Sequence, residues 1–299
     1  MIYDVRHLTT IDYASKVRLA RLNLRLEPAP WPGQILHEFM LSIDPVPFTM
    51  EEHPGPWVVN RRRLFFREPI SQLSIESHFR VEVIDPASAA DLFRHPDHSA
   101  PTIAEVRELA ARHRDLSPMG PASYLYPSPM APASVAIGAW GARFFDAGRS
   151  VLDAGNALMA AIYNEFTYDG TATTADTPPE EAFSARHGVC QDFAHVMIVA
   201  ARAHGIPAAY VSGYLRTLPP PGRPKLRGAD ATHAWAALWC GDDLGWVGFD
   251  PTNDTLARTD HIFTAMGRDY ADVAPIDGVF HGGSGQTMRV WVDVDPAEV

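Results

Sequence analysis

An α+β fold in two parts is what the sequence predicts, and three observations carry the prediction. Residues 1–85 contain short runs with the two-residue period of strands, separated by Pro and Gly, which read as an N-terminal β-sandwich domain. Residues 86–150 form a helical and Pro-rich connector. Residues 151–299 begin with two helix patterns and continue in strand-like segments, the composition of a helix packed on an antiparallel sheet. With 299 residues the chain is long enough for two cores.

In the first part, VRLARLNLRLEP alternates Leu22, Leu24 and Leu26 with Asn23 and Arg25, the pattern of one buried and one wet sheet face. EFMLSIDPV, RRRLFFRE and QLSIESHFRVEVID read as further strands. In the connector, PTIAEVRELAARHR forms a short helix after Pro101, whereas SPMGPASYLYPSPMAP holds too much proline for regular structure. VLDAGNALMAAIYNEFTY then places Leu152, Met159, Ile162 and Phe166 at helical spacing. In HGVCQDFAHVMIVAARAHGIP, Gly188 supplies a turn and Cys190 starts a helix that ends at Gly205, before Pro207 forces extended chain. Ala209 to Leu215, THAWAALWC, GWVGFDPTN and MRVWVDV complete the second part as strands.

Composition excludes several classes. A net charge of -11 and a pI near 5.6 argue against nucleic acid or an anionic membrane as the main partner, because both need concentrated positive charge. The chain lacks an apolar run of the ~18–20 residues that span a bilayer, and MIYDVRHLTTIDYAS lacks the pattern of a secretory signal, so a cytoplasmic location is expected. With two cysteines, Cys190 and Cys240, reduced thiols are expected rather than a disulfide scaffold.

The chemistry concentrates around Cys190. A thiolate is the nucleophilic form, and unpaired amides at a helix start favour negative charge there. His233 heads a strand face that also carries Trp235 and Trp239, and Asp250 ends the following strand, which a hairpin through CGDDLG returns alongside the first. Thiol, imidazole and carboxylate in that order have the roles of nucleophile, base and orienting group. The backbone amide of Cys190 is an oxyanion donor, and Gln191 or Tyr168 are candidates for a second. Asp192 and His195 brace the helix or cleft. Trp235 either shields the site or belongs to the core, and Ser212 and Tyr214 either line the cleft or pack at a strand end. A metal site from Cys190, His187, His233 and Cys240 is disfavoured, since His233 and Cys240 occupy opposite strand faces and no paired CxxC occurs. Neither a cofactor nor a metal is expected.

GVCQDFAH, GIPAAYVSGYL, HAWAALW, GWVGFDPTN and GRDYADVAPIDG resemble the corresponding stretches of bacterial transglutaminase-like proteins, and HLTTIDYASKV with LNLRLEP is similar to the β-rich N-terminal domain of that family. The resemblance covers nearly the whole chain. It implies a papain-like transglutaminase core as a catalytic domain over 151–299, with Cys190, His233 and Asp250 as a triad and a peptide or other amide as substrate. Peptidase or amidase hydrolysis through a thioacyl-enzyme is the first expectation. Transamidation or amide bond formation is the alternative, and a non-catalytic binding module a more distant one. Cleft walls are expected from loops 117–134 and 216–232.

Overall fold

Strand β1 (Ile2–Glu27) is the longest element of the chain and the axis of its first part. The computed structural model describes residues 1–85, 100–217, 228, 230–282 and 285–297; the start of the connector, 86–99, and residues 218–227 and 229 of the second expected cleft loop lie outside them. With β2 (Gln34–Asp44), β3 (Thr49–Glu52), β4 (Asn60–Phe66) and β5 (Ile70–Val83), β1 forms an antiparallel sheet in the order β2-β5-β1-β4-β3. One edge of β1 pairs with β5 over Ile2 to Asp12 and with β4 from Ala20 onward, and the register shifts between Asp12 and Val17. A strand that changes partner across an irregularity bends, and the sheet curls. Leu22, Leu24 and Leu26 are buried inside it with Leu64, Phe66, Leu73 and Ile75.

Helix α1 (Ile103–Arg112) starts at a capping box: the Thr102 hydroxyl accepts from the Glu105 amide and the Glu105 carboxylate accepts from the Thr102 amide at 2.7 Å. After one 3-10 turn (Pro121–Tyr124) come α2 (Val135–Gly141) and α3 (Val151–Glu165), the latter capped by Ser150. The paired two-residue strands β6 (Thr167–Tyr168) and β7 (His187–Gly188) flank α4 (Pro179–Ala185) and lead into α5 (Cys190–Ala203). The remaining strands β8 (Ala208–Leu215), β9 (Ala231–Trp239), β10 (Trp246–Asp250), β11 (Thr255–Leu256) and β12 (His261–Gly267) make a second sheet in the order β11-β10-β9-β8-β12, followed by the short α6 (Tyr270–Val273). No helix among the described residues is long and apolar enough to cross a membrane.

Helix α5 is buried along almost its whole length, and apolar residues occupy every side of its middle stretch, 196–201. Phe193, Val196, Met197 and Ala200 pack in one core with Ala234, Ala236 and Leu238 of β9. Helix α2 packs closely on α5 at Gly141, where an added Cβ would stand a tight 3.2 Å from the Ala200 Cβ. Near its end, α5 buries Arg202, whose guanidinium donates to the carbonyls of Tyr124, Ala208 and Arg268 and to the Ser128 hydroxyl. One side chain therefore ties the connector, β8 and the segment before α6 to the central helix.

The chain ends where it began. Strands β13 (Ile276–Gly282) and β14 (Gln286–Pro296) pair antiparallel with β1, β14 along its first half and β13 along its second. MRVWVDV is thus a strand, as its pattern predicts, but it joins the N-terminal sheet and not the sheet beside α5. This return also changes the expected wet face of β1. Arg25 is buried, and its Nη1 donates to the Ala274 carbonyl at 2.8 Å and to Asp277 Oδ2 at 2.5 Å.

The two sheets meet through Tyr3, Val5, Phe79 and Val81 on one side and Tyr214 and Ile262 on the other. Polar groups cross the seam in pairs. His7 Nδ1 meets the Tyr214 hydroxyl at 3.0 Å, and the Gln34 side-chain amide makes two 2.9 Å bonds with the backbone of Phe263. Replacing Arg202 with Met keeps the volume and leaves three buried carbonyls without their shared donor. The expected loss is about 3 kcal/mol, read as a lower urea midpoint with an unchanged slope; an unchanged midpoint would deny the guanidinium this role.

Candidate active site

The start of α5 is built by its neighbours rather than by its own cap. Val189, the N-cap, has no side chain that can accept a hydrogen bond; Asp192 reaches back instead, and its Oδ2 accepts from the Val189 amide at 2.8 Å and from the Thr173 hydroxyl at 2.6 Å. Burial raises the Asp192 carboxyl above the usual carboxylate range in spite of these donors. Gly188 is needed for this fold-back, since a Cβ there would lie 2.6 Å from Asp192 Oδ2. The left-handed residue at this corner is Arg186, with φ of 57°, and not the Gly188 that sequence reading assigned to the turn. Gln191 donates its amide to the Ala175 carbonyl at 2.8 Å and so holds the 169–177 loop to the helix start. Cys190 is the first residue of the helix and is half-buried.

Across from it, β9 and β10 run antiparallel with Phe249 opposite Ala236, so that Asp250 ends beside the beginning of β9. His233 Nε2 and Asp250 Oδ2 are 2.7 Å apart, and the same imidazole engages the Cys190 side chain. Burial alone would lower the His233 pKa. The hydrogen bonds to Asp250 and Cys190 outweigh it and hold the ring above the ordinary histidine range. Thiol, imidazole and carboxylate thus lie in one neighbourhood.

Asp250 has no exposed surface, yet it is surrounded by donors. Its Oδ2 faces His233, His261 Nε2 at 3.0 Å and Asn253 Nδ2 at 2.7 Å, while Oδ1 accepts from the Thr252 amide at 3.0 Å. Burial works against the charge, but the bonds from His233 and His261 prevail and hold the carboxyl well below the usual carboxylate range. The tautomer of His261 follows from its partners. Its Nδ1 accepts the Arg258 amide at 3.3 Å, which leaves Nε2 as the donor to Asp250. His233, Asp250 and His261 also form a donor set that could hold a metal ion, with ligand atoms within 4.8 Å of one another. In this structure the three groups are spent on mutual hydrogen bonds to a single oxygen.

The other expected residues separate into those beside Cys190 and those elsewhere. Tyr168 is exposed and close enough to the thiol to feel its charge; burial and Cys190 raise its hydroxyl above the ordinary value. Tyr210 and Tyr270 lie near Cys190 as well, and sequence reading named neither. His195 packs its ring 4.9 Å from Tyr210, and its Nε2 accepts the Tyr270 amide at 3.2 Å. Burial pulls His195 down to about 4, which makes it a neutral acceptor that anchors α6. Trp235 is buried beside the two histidines, its ring 6.1 Å from His233 and 5.2 Å from His261. Gly213 makes room for it: a Cβ there would lie 2.6 Å from the indole. Ser212 is buried in mid-strand, its carbonyl held by the Thr264 hydroxyl. Tyr214 belongs to the seam with the N-terminal sheet, bonded to His7. Cys240 is fully buried, and its thiol points to the Leu238 carbonyl.

His261 and Asn253 escaped sequence reading. Asn253 lies in the DPTN turn, three residues after Asp250, and was open to it; His261 heads a strand at the opposite edge of the sheet, and its approach to Asp250 depends on the turn at Arg258.

Comparison with known proteins agrees with this architecture. The model of the transglutaminase-like superfamily core matches residues 139–251, and that of the bacterial transglutaminase-like N-terminal region matches residues 3–82. An uncharacterized protein of Mycobacterium tuberculosis is 48% identical over 145 residues, 47% of this chain and 46% of its own. The chain therefore matches about half the length of such curated relatives. A protein-glutamine gamma-glutamyltransferase of Pseudomonas aeruginosa is 36% identical over 104 residues, 32% of this chain and 15% of that one. A crystal structure described as a candidate cysteine protease from Cytophaga hutchinsonii shares the fold, with a TM-score of 0.75 and 22% identity over 100% of this chain and 92% of its own. With an N-terminal region and a core that each match a model of the same group, the chain belongs to the bacterial transglutaminase-like proteins.

Proposed function

We propose that the protein transfers acyl groups from amides through Cys190, with His233 as its proton partner and Asp250 as the group that orients and charges His233. The observation that carries this reading is the buried 2.7 Å bond between His233 and Asp250, with the Cys190 side chain close enough to the same imidazole to raise its pKa. An imidazole held above its ordinary range beside a carboxylate and a thiol is a proton carrier positioned for the nucleophile.

The thiolate attacks the amide carbonyl carbon, and a C–S bond forms as the carbonyl electrons move to oxygen. Backbone amides in the first turn of α5 have no intrahelical acceptor and are placed to receive that oxyanion. When the C–N bond breaks, the His233 imidazolium gives its proton to the departing amine, and a thioester remains on Cys190. Water, deprotonated by the now neutral His233, releases an acid; an amine in its place forms a new amide. Hydrolysis of a peptide or amide is the preferred outcome here. Transamidation is the second reading, and the likeness of 104 residues to a protein-glutamine gamma-glutamyltransferase supports it. Product mass after incubation with a glutamine-containing peptide and a primary amine separates the two: a free acid supports hydrolysis and an amine adduct transamidation.

Cys190→Ala should lower turnover by at least ~10³-fold with little change in melting temperature. Iodoacetamide at neutral pH should label Cys190 well before Cys240, as read by peptide mass; equal labelling would remove the case for an activated thiol.

The pH dependence follows from the direction of the His233 shift. A raised imidazole pKa keeps the ion pair protonated to higher pH, so the alkaline limb of kcat/KM should lie above the ordinary histidine range. Asp250→Asn removes the carboxylate that raises it, and that limb should move to lower pH together with a loss of rate. A limb that stays in place would show that Asp250 does not act through the imidazole.

A further inference from the structure

Behind the triad, in the seam between the two sheets, lies a cavity of about 410 Å³. Residues 31–34 and 83–85 of the N-terminal part form one side of it, and residues 244–248 and 256–263 of the second part form the other, with Trp235 also in its wall. Cys190 and His233 are not among its lining residues, so it is separate from the cleft in which the thiol would react. Its surface is largely apolar, with several aromatic rings. Trp31 stacks on Phe263 at 4.2 Å, and Trp235 and Trp246 supply two further indoles.

Most polar groups at this cavity are already committed. The Trp246 indole donates to the Met119 carbonyl at 2.8 Å, Gln34 is spent on the Phe263 backbone, and both nitrogens of His261 are bonded. Asp85, at the N-terminal side, has an interaction of its own. Two donors are left. Trp235 is only 3% exposed, and its indole N–H, without an acceptor among the described residues, is part of the cavity wall. Gly248 keeps the approach to that N–H open, for a Cβ there would stand 3.0 Å from Trp235 Nε1. The exposed Arg258 has no ion pair among the described residues. An apolar cavity with a few converging donors is the usual form of a small-molecule site.

We propose that this cavity binds an aromatic carboxylic acid. The ring lies among Trp31, Trp235 and Trp246, an acceptor oxygen takes the Trp235 N–H, and the carboxylate pairs with Arg258. The site shares Trp235 and His261 with the support of Asp250, so its occupant presses on the residues that hold the triad carboxylate. Its existence does not depend on the acyl-transfer reading, because binding is measured without turnover.

N-acetyl-L-phenylalanine, which carries a ring, an acceptor carbonyl and a carboxylate, is the probe, titrated by calorimetry into the full chain. Saturable binding at one site is expected. The uncharged N-acetyl-L-phenylalaninamide should bind at least about tenfold more weakly, Arg258→Gln should lose as much for the acid, and the amide should be insensitive to that substitution. Trp235→Phe should weaken the acid by several-fold, and alkylation of Cys190 should leave its affinity unchanged. The proposal is overturned if the acid does not saturate, if Arg258→Gln binds acid and wild-type chain equally well, or if alkylated Cys190 abolishes binding, which would place the probe in the thiol cleft. Arg258 is a surface residue, so its variant keeps the test valid should the Trp235 variant fail to fold.

Discussion

A carboxylate with no access to water must be met by donors from the protein itself, and Asp250 gathers them from three places in the chain. His233 comes from the neighbouring strand, Thr252 and Asn253 from the turn that follows, and His261 from the edge strand two positions beyond β9. An isolated charge in this position would be strongly disfavoured or neutralised. Here the surrounding bonds keep it ionised, and its negative charge in turn keeps the His233 ring proton-rich. The geometry of the site is therefore the solution to a solvation problem.

The second constraint is the burial of α5. Its first residue, Cys190, is half-buried, whereas the rest of the helix is enclosed by α2, α4 and the sheet. Polar residues within that enclosed stretch are each assigned a structural bond: Asp192 caps the helix start, His195 receives the Tyr270 amide, and Arg202 collects carbonyls at the far end. The same helix thus holds Cys190 at the end of a rigid body, and the proposed pairing of its thiol with His233 would rest on that fixed placement.

The N-terminal sheet contributes to the second part along its edge. Its seam with β8 and β12 buries Tyr214 and His7, and the burial lowers His7 to about 4, leaving it a neutral partner for the tyrosine hydroxyl. The seam also encloses the apolar cavity, whose wall includes His261, a partner of Asp250. Return of β13 and β14 to β1 fastens the end of the chain to its beginning and covers Arg25.

By itself the sequence determined the α+β character, the helix that starts at Cys190 and ends at Gly205, and the strands that carry His233 and Asp250. Those features rest on local causes: apolar periodicity, a glycine or proline at an element's end, and a short hairpin that sets two strands side by side. What only the tertiary structure decided depends on contacts between distant segments. MRVWVDV has the period of a strand, but period does not name a partner, and the hydrogen bonds of β1 claimed it. Tyr214 has the neighbours of a cleft residue in sequence and those of the sheet seam in space. His261 is one histidine among 13 until the turn at Arg258 aims its proton at Asp250. Local pattern specifies an element and its faces, whereas the choice of what each face meets is made by closing long stretches of chain around buried charge and apolar surface.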